Sequence, residues 1–235
     1  MRLDKMLSEC TSESRSEIKK LIRQGRVSVN AVPVRSPDMK IDETRDTVTL
    51  DGRTIEYKPY LYIMLNKPAG YVSATQDKAE RTVMELLPEE YKGRSLFVAG
   101  RLDKYTTGLM ILTNDGQFAH EALSPKSHVK KTYLVTLSCP VGEDDVKAFK
   151  DGIYIEGGYL TKSAELVITG ERSARVTISE GRYHQIKQMF GARGNSVVEL
   201  RRISFGGLRL PDDLKEGSAR ELSDEERASV FVKID

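Results

Sequence analysis

The sequence predicts an α+β protein in two parts: a small basic αα-β head over residues 1–59 and a larger domain over 60–235 built on a mixed, mainly antiparallel sheet. Three observations carry that prediction. Strand-like runs outnumber helical ones and their connections are irregular. The pattern changes character after Tyr57-Lys58-Pro59, where apolar runs suited to buried strands take over. Charge is also unevenly divided in a chain whose net charge is only +2: residues 1–36 hold eight basic side chains against four acidic ones, and residues 212–235 hold four basic against eight acidic. A basic head with an acidic tail points to a polyanionic partner met by one end of the molecule. With 235 residues the chain is long enough for a large domain, an appendage and an ample core.

The head opens with a short helix over 2–9. Ser14-Arg15-Ser16-Glu17 is a capping box for a second helix, which Gly25 stops. On that helix Ile18, Leu21 and Ile22 share one face, while Arg15, Lys19 and Arg23 follow at four-residue spacing along another, left for solvent or for phosphate. Arg26-Val27-Ser28-Val29-Asn30 alternates as a strand and turns through Asn30-Ala31 into 32–35.

In the larger part, 60–65 reads as an apolar strand and Asn66-Lys67-Pro68-Ala69-Gly70-Tyr71 as a turn. A short helix is expected over 81–87. Two strands within 95–112 flank the loop Gly100-Arg101-Leu102-Asp103. Helices follow at 117–123 and 144–150, a strand at 131–137, and an antiparallel pair at 164–168 and 174–179. Gly181 opens a helix through Phe190, 197–203 is a further strand, and Ser223-Asp224-Glu225-Glu226 caps a last helix. There is no internal repeat.

Several function classes fall away. No window approaches the roughly 18 consecutive apolar residues of a membrane span. The N-terminus Met1-Arg2-Leu3-Asp4-Lys5 lacks the apolar core of a signal peptide, so a cytoplasmic location is expected. Cys10 and Cys139 lie far apart and near no histidine cluster, and His120, His128 and His184 lack metal spacing, so no metal site is expected. Neither a Walker motif nor a dinucleotide glycine fingerprint occurs, so the chain is expected to work without a cofactor. What remains is Asp103, an acid held on a short loop between two buried strands. Such a carboxylate either caps its own turn or does chemistry.

Four motifs bear on that choice. Gly100-Arg101-Leu102-Asp103 with Thr106, Gly108-Leu109 and Thr113-Asn114-Asp115-Gly116 resembles the signature of the RsuA-type pseudouridine synthases. Asn66-Lys67-Pro68-Ala69-Gly70-Tyr71 is similar to their first motif, Lys130-Lys131-Thr132-Tyr133 to their tyrosine motif, and the stretch from Glu180 to Phe190 to their third. Ahead of these, Arg2-Leu3-Asp4-Lys5-Met6-Leu7, Ser14-Arg15-Ser16-Glu17 and Gly25-Arg26-Val27-Ser28-Val29-Asn30 resemble the S4 RNA-binding module. Tyr105 and Gln188 depart from the family pattern, standing where acidic and basic residues are frequent.

The resemblance implies a cofactor-free RNA-modifying enzyme with a part in ribosome biogenesis. It would isomerise a uridine of 16S rRNA, uridine 516, in the free RNA or in a small-subunit assembly intermediate, and act as a monomer. Asp103 would be the nucleophile or ion-stabilising carboxylate, acting on the ribose or on the base according to the mechanistic variant. Lys187 would favour its charged form by pairing, and Tyr133 would stack on the uracil and serve as general base. The target nucleotide must be flipped out, and Arg101 would fill the gap or grip the backbone unless it pairs with a nearby acid. Arg2, Lys5, Arg15, Lys19, Lys20, Arg23, Arg26 and Lys67 complete the expected RNA contacts, which would follow phosphates and shape more than sequence. A 23S rRNA target is the alternative within the family, and a non-catalytic RNA-binding or assembly factor is the alternative outside it. Asp103, Tyr133 and Lys187 together argue against the latter, since a pure binder has no use for all three.

Overall fold

The computed structural model describes residues 1–11, 13–91, 94–124 and 126–232; Lys233 and Asp235 of the acidic tail lie outside the described residues. The chain forms two compact units. One comprises Met1–Leu61 with Leu87–Leu96, the other Tyr62–Leu86 with the chain from Phe97 on.

In the first unit α1 (Leu3–Cys10) and α2 (Arg15–Arg23) precede four short antiparallel strands: β1 (Val27–Val29), β2 (Val32–Val34), β3 (Val48–Leu50) and β4 (Arg53–Ile55), in the order β2-β1-β3-β4. The capping box forms as the sequence predicts: the Ser14 hydroxyl accepts from Glu17 N, and Glu17 accepts from Ser14 N. Leu3, Met6, Leu7, Ile18, Ile22, Val27 and Val48 close the core. The β3–β4 hairpin is additional to the expected αα-β unit. Its signal is Asp51-Gly52 between Val48-Thr49-Leu50 and Arg53-Thr54-Ile55, with both turn residues at positive φ, 51° and 78°. The segment Leu87–Leu96 belongs here because Arg94 donates to the carbonyls of Glu9 and Lys58.

The second unit is built on one large sheet. Its strands are β5 (Tyr62–Lys67), β6 (Phe97–Ala99), β7 (Thr107–Thr113), β8 (Lys131–Leu137), then, after the small hairpin β9 (Tyr154–Ile155) and β10 (Tyr159–Leu160), β11 (Glu165–Gly170), β12 (Ser173–Ile178), β13 (Val197–Phe205), β14 (Leu208–Arg209) and β15 (Ala219–Glu221). The order is β11-β12-β8-β13-β7-β5-β15, with β6 beside β7 and β14 beside β13. Among the described residues only β13 and β7 run parallel within it. The sheet is thus mixed and mainly antiparallel, as the sequence predicts. The helices are α3 (Gly116–Leu123), capped by Asp115, α4 (Glu143–Asp151), α5 (Gln185–Ala192) and α6 (Asp224–Ser229). Phe118 of α3 packs with Met64, Leu109, Ile111 and Phe205 of the sheet, and Phe149 of α4 meets Phe190 of α5 at 4.7 Å between ring centroids. No helix among the described residues is long and apolar enough to cross a membrane.

Two expectations need correction. The helix over 81–87 is only a 3₁₀ turn, Val83–Leu86. The helix expected to open at Gly181 begins at Gln185, because His184 sits in the left-handed region at φ 49° and breaks the path.

The parallel seam depends on Gly108. Its φ is 98°, and a Cβ there would stand 2.2 Å from the Arg202 carbonyl oxygen of β13. Gly108→Ala is therefore expected to cost at least about 3 kcal/mol through strain and overpacking. A chemical-denaturation midpoint equal to that of the unsubstituted protein would contradict this.

Candidate active site

The loop joining β6 to β7 carries Asp103 and is tied at both ends by buried cations. At its start Gly100 has φ 97°, and a Cβ there would lie 2.7 Å from the Phe205 ring. Arg202, 1% exposed, donates through Nη2 to Gly100 O at 2.8 Å and through Nε to Leu109 O at 2.7 Å. At the other end the Lys67 ammonium donates to the carbonyls of Pro68, Lys104 and Thr106, each at 2.9 Å. In the middle the Ser73 hydroxyl accepts from Leu102 N at 3.0 Å and donates to Leu102 O at 2.5 Å, and Thr106 N donates to Asp103 O. The backbone under Asp103 is thus fixed before any ligand arrives.

Lys67, expected among the RNA contacts, is instead fully buried at 0% exposure and out of reach of any solvent-borne ligand. Burial pulls its pKa down to about 8 against the opposing pull of Asp103 and Glu216. Sequence reasoning missed Arg202 altogether, because an arginine in an alternating strand reads as a solvent-facing residue.

Both oxygens of the Asp103 carboxylate are engaged. Lys187 Nζ, from the first turn of α5, donates to Oδ2 at 2.8 Å, and His184 Nε2 approaches Oδ1 at 3.4 Å. In the sequence His184 reads as an ordinary structural histidine. The left-handed backbone that ends the 179–184 loop and its stacking on Tyr183, at 3.8 Å between rings, bring it to the acid. Gln188 holds the same loop, accepting from Glu156 N and donating to Tyr183 O. Its departure from the family pattern thus has a local structural use.

Asp103 opens into a cleft of about 560 Å³ whose walls include Arg101, Tyr133, Ile178, Arg182 and Leu200. Tyr133, in the middle of β8, is buried to 7% exposure against this cavity. Buried Glu180 braces the wall by accepting from Tyr159 Oη, Lys162 N and Gln185 Nε2. Lys131, also buried, lines the cleft, and loss of hydration lowers its pKa to about 8. Arg101, Lys131, Lys162, Arg182 and Arg202 outnumber the carboxylates Asp103 and Glu180 around the cavity, which makes a basic recess fit for a polyanion. Arg101 is exposed at the cleft and makes no ion pair among the described residues.

In the first unit the expected RNA-contacting cations are not equivalent. Arg2, Arg15 and Lys19 converge on the fully buried Asp4, with nitrogen–oxygen distances of 3.0, 3.2 and 3.9 Å. Arg26 is held bidentately by Asp51, and Lys5 stands near Glu9 at 3.8 Å. Lys20 and Arg23 are exposed. Burial alone would raise the Asp4 pKa, but hydrogen bonds from Arg2 and Arg15 hold it down at about 2. Because this folded value lies below that of the unfolded chain, Asp4 stabilises the protein fully above about pH 4, and the contribution is lost as pH falls toward 2. The difference in melting temperature between the full-length protein and its Asp4→Asn variant should accordingly shrink between pH 5 and pH 2. A gap independent of pH would contradict the arrangement.

Comparison with known proteins fits this geometry. The family description RNA pseudouridylate synthase matches residues 61–192, and the S4 domain description matches residues 1–48. Ribosomal small subunit pseudouridine synthase A of Escherichia coli (strain K12) is 45% identical over 233 residues, covering 98% of this chain and 100% of that protein. Uncharacterized RNA pseudouridine synthase YtzG of Bacillus subtilis (strain 168) is 44% identical over 230 residues, or 96% of each chain. A crystal structure of a pseudouridylate synthase aligns with a TM-score of 0.69 at 40% identity, covering 98% of this chain and 99% of its own.

Proposed function

The chain belongs to the RNA pseudouridylate synthase family and carries an S4 domain, and from that premise we propose that it isomerises a uridine of small-subunit rRNA, uridine 516, to pseudouridine. The observation that carries the reading is the Asp103 carboxylate, paired with Lys187 at 2.8 Å on a rigid loop, at a basic cleft that also buries Tyr133. The relatives named as small-subunit enzymes match along almost their entire length, which supports the choice of RNA.

The chemistry requires little that the cleft lacks. The C1′–N1 bond of the uridine breaks, the uracil turns, a C1′–C5 bond forms, the C5 proton leaves, and N1 takes up a proton from solvent. The product is an isomer, so nothing is oxidised and no group is consumed. C1′ and C5 are shielded inside a helix, so the nucleotide is flipped into the cleft at the cost of unstacking. Arg101, at the rim and without an acidic partner among the described residues, occupies the space left behind or holds the flanking backbone. Asp103 acts on the flipped nucleotide as nucleophile or as counter-charge while the uracil is detached, with Lys187 and His184 setting the direction of its two oxygens. Tyr133 stacks on the uracil and takes the C5 proton. The head contributes sequence-tolerant affinity through its exposed cations.

Small-subunit rRNA labelled with tritium at uridine C5 tests this directly, because forming the C1′–C5 bond expels the label. Stoichiometric release into water is expected. No release from naked RNA or from assembly intermediates would sink the proposal.

A further inference from the structure

The cleft occupies one face of the sheet. Successive residues of a strand point to opposite faces, so Tyr133 and Arg202 turn into the cleft while their neighbours Leu134 and Arg201 turn away from it. On that reverse face lies a second groove, of about 580 Å³. At its centre Leu134 is 43% exposed, flanked in register by Arg175 of β12 and by Arg201 of β13. These two arginines therefore stand two strand spacings apart, about 10 Å. The next row of the same face, Thr177, Thr132 and Ser204, is hydroxylic, and it ends at Arg209, opposite Ser204 on β14. Lys130, the residue before β8, lines the groove as well.

Lys130, Arg175, Arg201 and Arg209 outnumber the two carboxylates of the groove, Glu165 and Asp212, and none of the four cations makes an ion pair among the described residues. The basic residues also come as two consecutive pairs on adjacent strands. Lys131 and Arg202 line the cleft, Lys130 and Arg201 line the groove, and β8 and β13 pair directly. The cleft-side pair is buried and bonded to backbone carbonyls, whereas Lys130 and Arg201 are partly exposed, so of these four cations the reverse-face pair is the one open to a ligand.

We propose that this reverse-face groove is a second RNA-binding surface, which takes the ribose-phosphate backbone of the substrate RNA at a distance from the flipped nucleotide. Unpaired guanidiniums match phosphate oxygens, which accept from them, while the Thr132 and Thr177 hydroxyls bond each other at 3.1 Å beneath. The groove presents no aromatic side chain, so it offers bases no stacking platform and reads backbone and shape only. The same domain is proposed to hold RNA on its other face, and the groove's four cations outnumber its two carboxylates, which favours that polyanion over an acidic protein. The inference rests on the RNA reading of the cleft.

The test compares full-length protein with its Arg175→Gln/Arg201→Gln and Arg175→Glu/Arg201→Glu variants. Affinity is measured over a salt series for a long fragment of small-subunit rRNA and for a short hairpin containing the target uridine. For the long fragment, Kd should rise at least about tenfold in the Glu variant, and the salt slope should fall by about two in both variants, one for each phosphate that is no longer neutralised. Hairpin affinity and turnover should stay within about twofold. Unchanged affinity and slope on the long fragment would overturn the proposal, as would weaker binding with an unchanged slope. Loss of affinity confined to protein-bound ribosomal particles would assign the face to an acidic protein and overturn it too. Because binding is read apart from turnover, a wild type that binds but does not isomerise would defeat the proposed activity and leave this result standing.

Discussion

Asp103→Asn is expected to lower turnover by at least about 10³-fold while RNA affinity stays within about threefold. The substitution keeps the shape of the side chain, turns one of its two accepting oxygens into an NH2 donor, and removes its charge and nucleophilicity. The loop under it does not depend on the carboxylate. Leu102 is clasped by Ser73, Gly100 by Arg202, and Lys104 and Thr106 by Lys67, so the amide should occupy the same position. Asp103 is also one acid among several cations, and neutralising it removes no attraction for RNA. A variant that bound RNA normally and retained a tenth of the activity would show that the reaction does not pass through this carboxylate.

Lys187→Met should be the next most damaging change, lowering kcat by about 10²-fold with a much smaller effect on KM. Its ammonium holds one oxygen of Asp103 at 2.8 Å, and methionine fills similar volume without charge. His184 remains beside the other oxygen at 3.4 Å, so the acid keeps one of its two neighbours and part of its orientation. Lys187→Arg restores the charge with a different reach and should recover part of the loss. Equal activity in the Met and Arg variants would mean that charge at this position is irrelevant.

These two expectations start from residues that the sequence singles out, and the structure brings them together from eighty-four positions apart. Asp103 and Lys187 were legible because each lies in a motif with a definite order along the chain. The helices with capping signals were legible for a physical reason as well: Ser14 with Glu17 and Ser223 with Glu226 satisfy each other's orphan groups wherever the helix sits. What escaped depends on tertiary context. Lys67 and Arg202 look like surface cations in a string of letters. They are buried because each finds backbone carbonyls of the Asp103 loop and its flanks, a satisfaction that exists only once β5, β7 and β13 are side by side. Asp4 is similar. It looks like a helix-surface acid, and it turns inward because Arg2, Arg15 and Lys19 close over it. His184 reaches Asp103 through a left-handed backbone position that the apolar periodicity of Ile186, Met189 and Phe190 concealed. The return of Leu87–Leu96 to the first unit carried no periodic signal, and its tie is the side chain of Arg94.

The proposed formation of pseudouridine in small-subunit rRNA through Asp103 can be read out in cells. Mapping pseudouridine at single-nucleotide resolution in that rRNA, from cells lacking the protein and from the same cells given back either the wild type or Asp103→Asn, addresses it most directly. One pseudouridine, at uridine 516, should be absent without the protein, restored by the wild type and not restored by Asp103→Asn. Restoration by Asp103→Asn, or a small-subunit rRNA whose pseudouridines are the same with and without the protein, would contradict it.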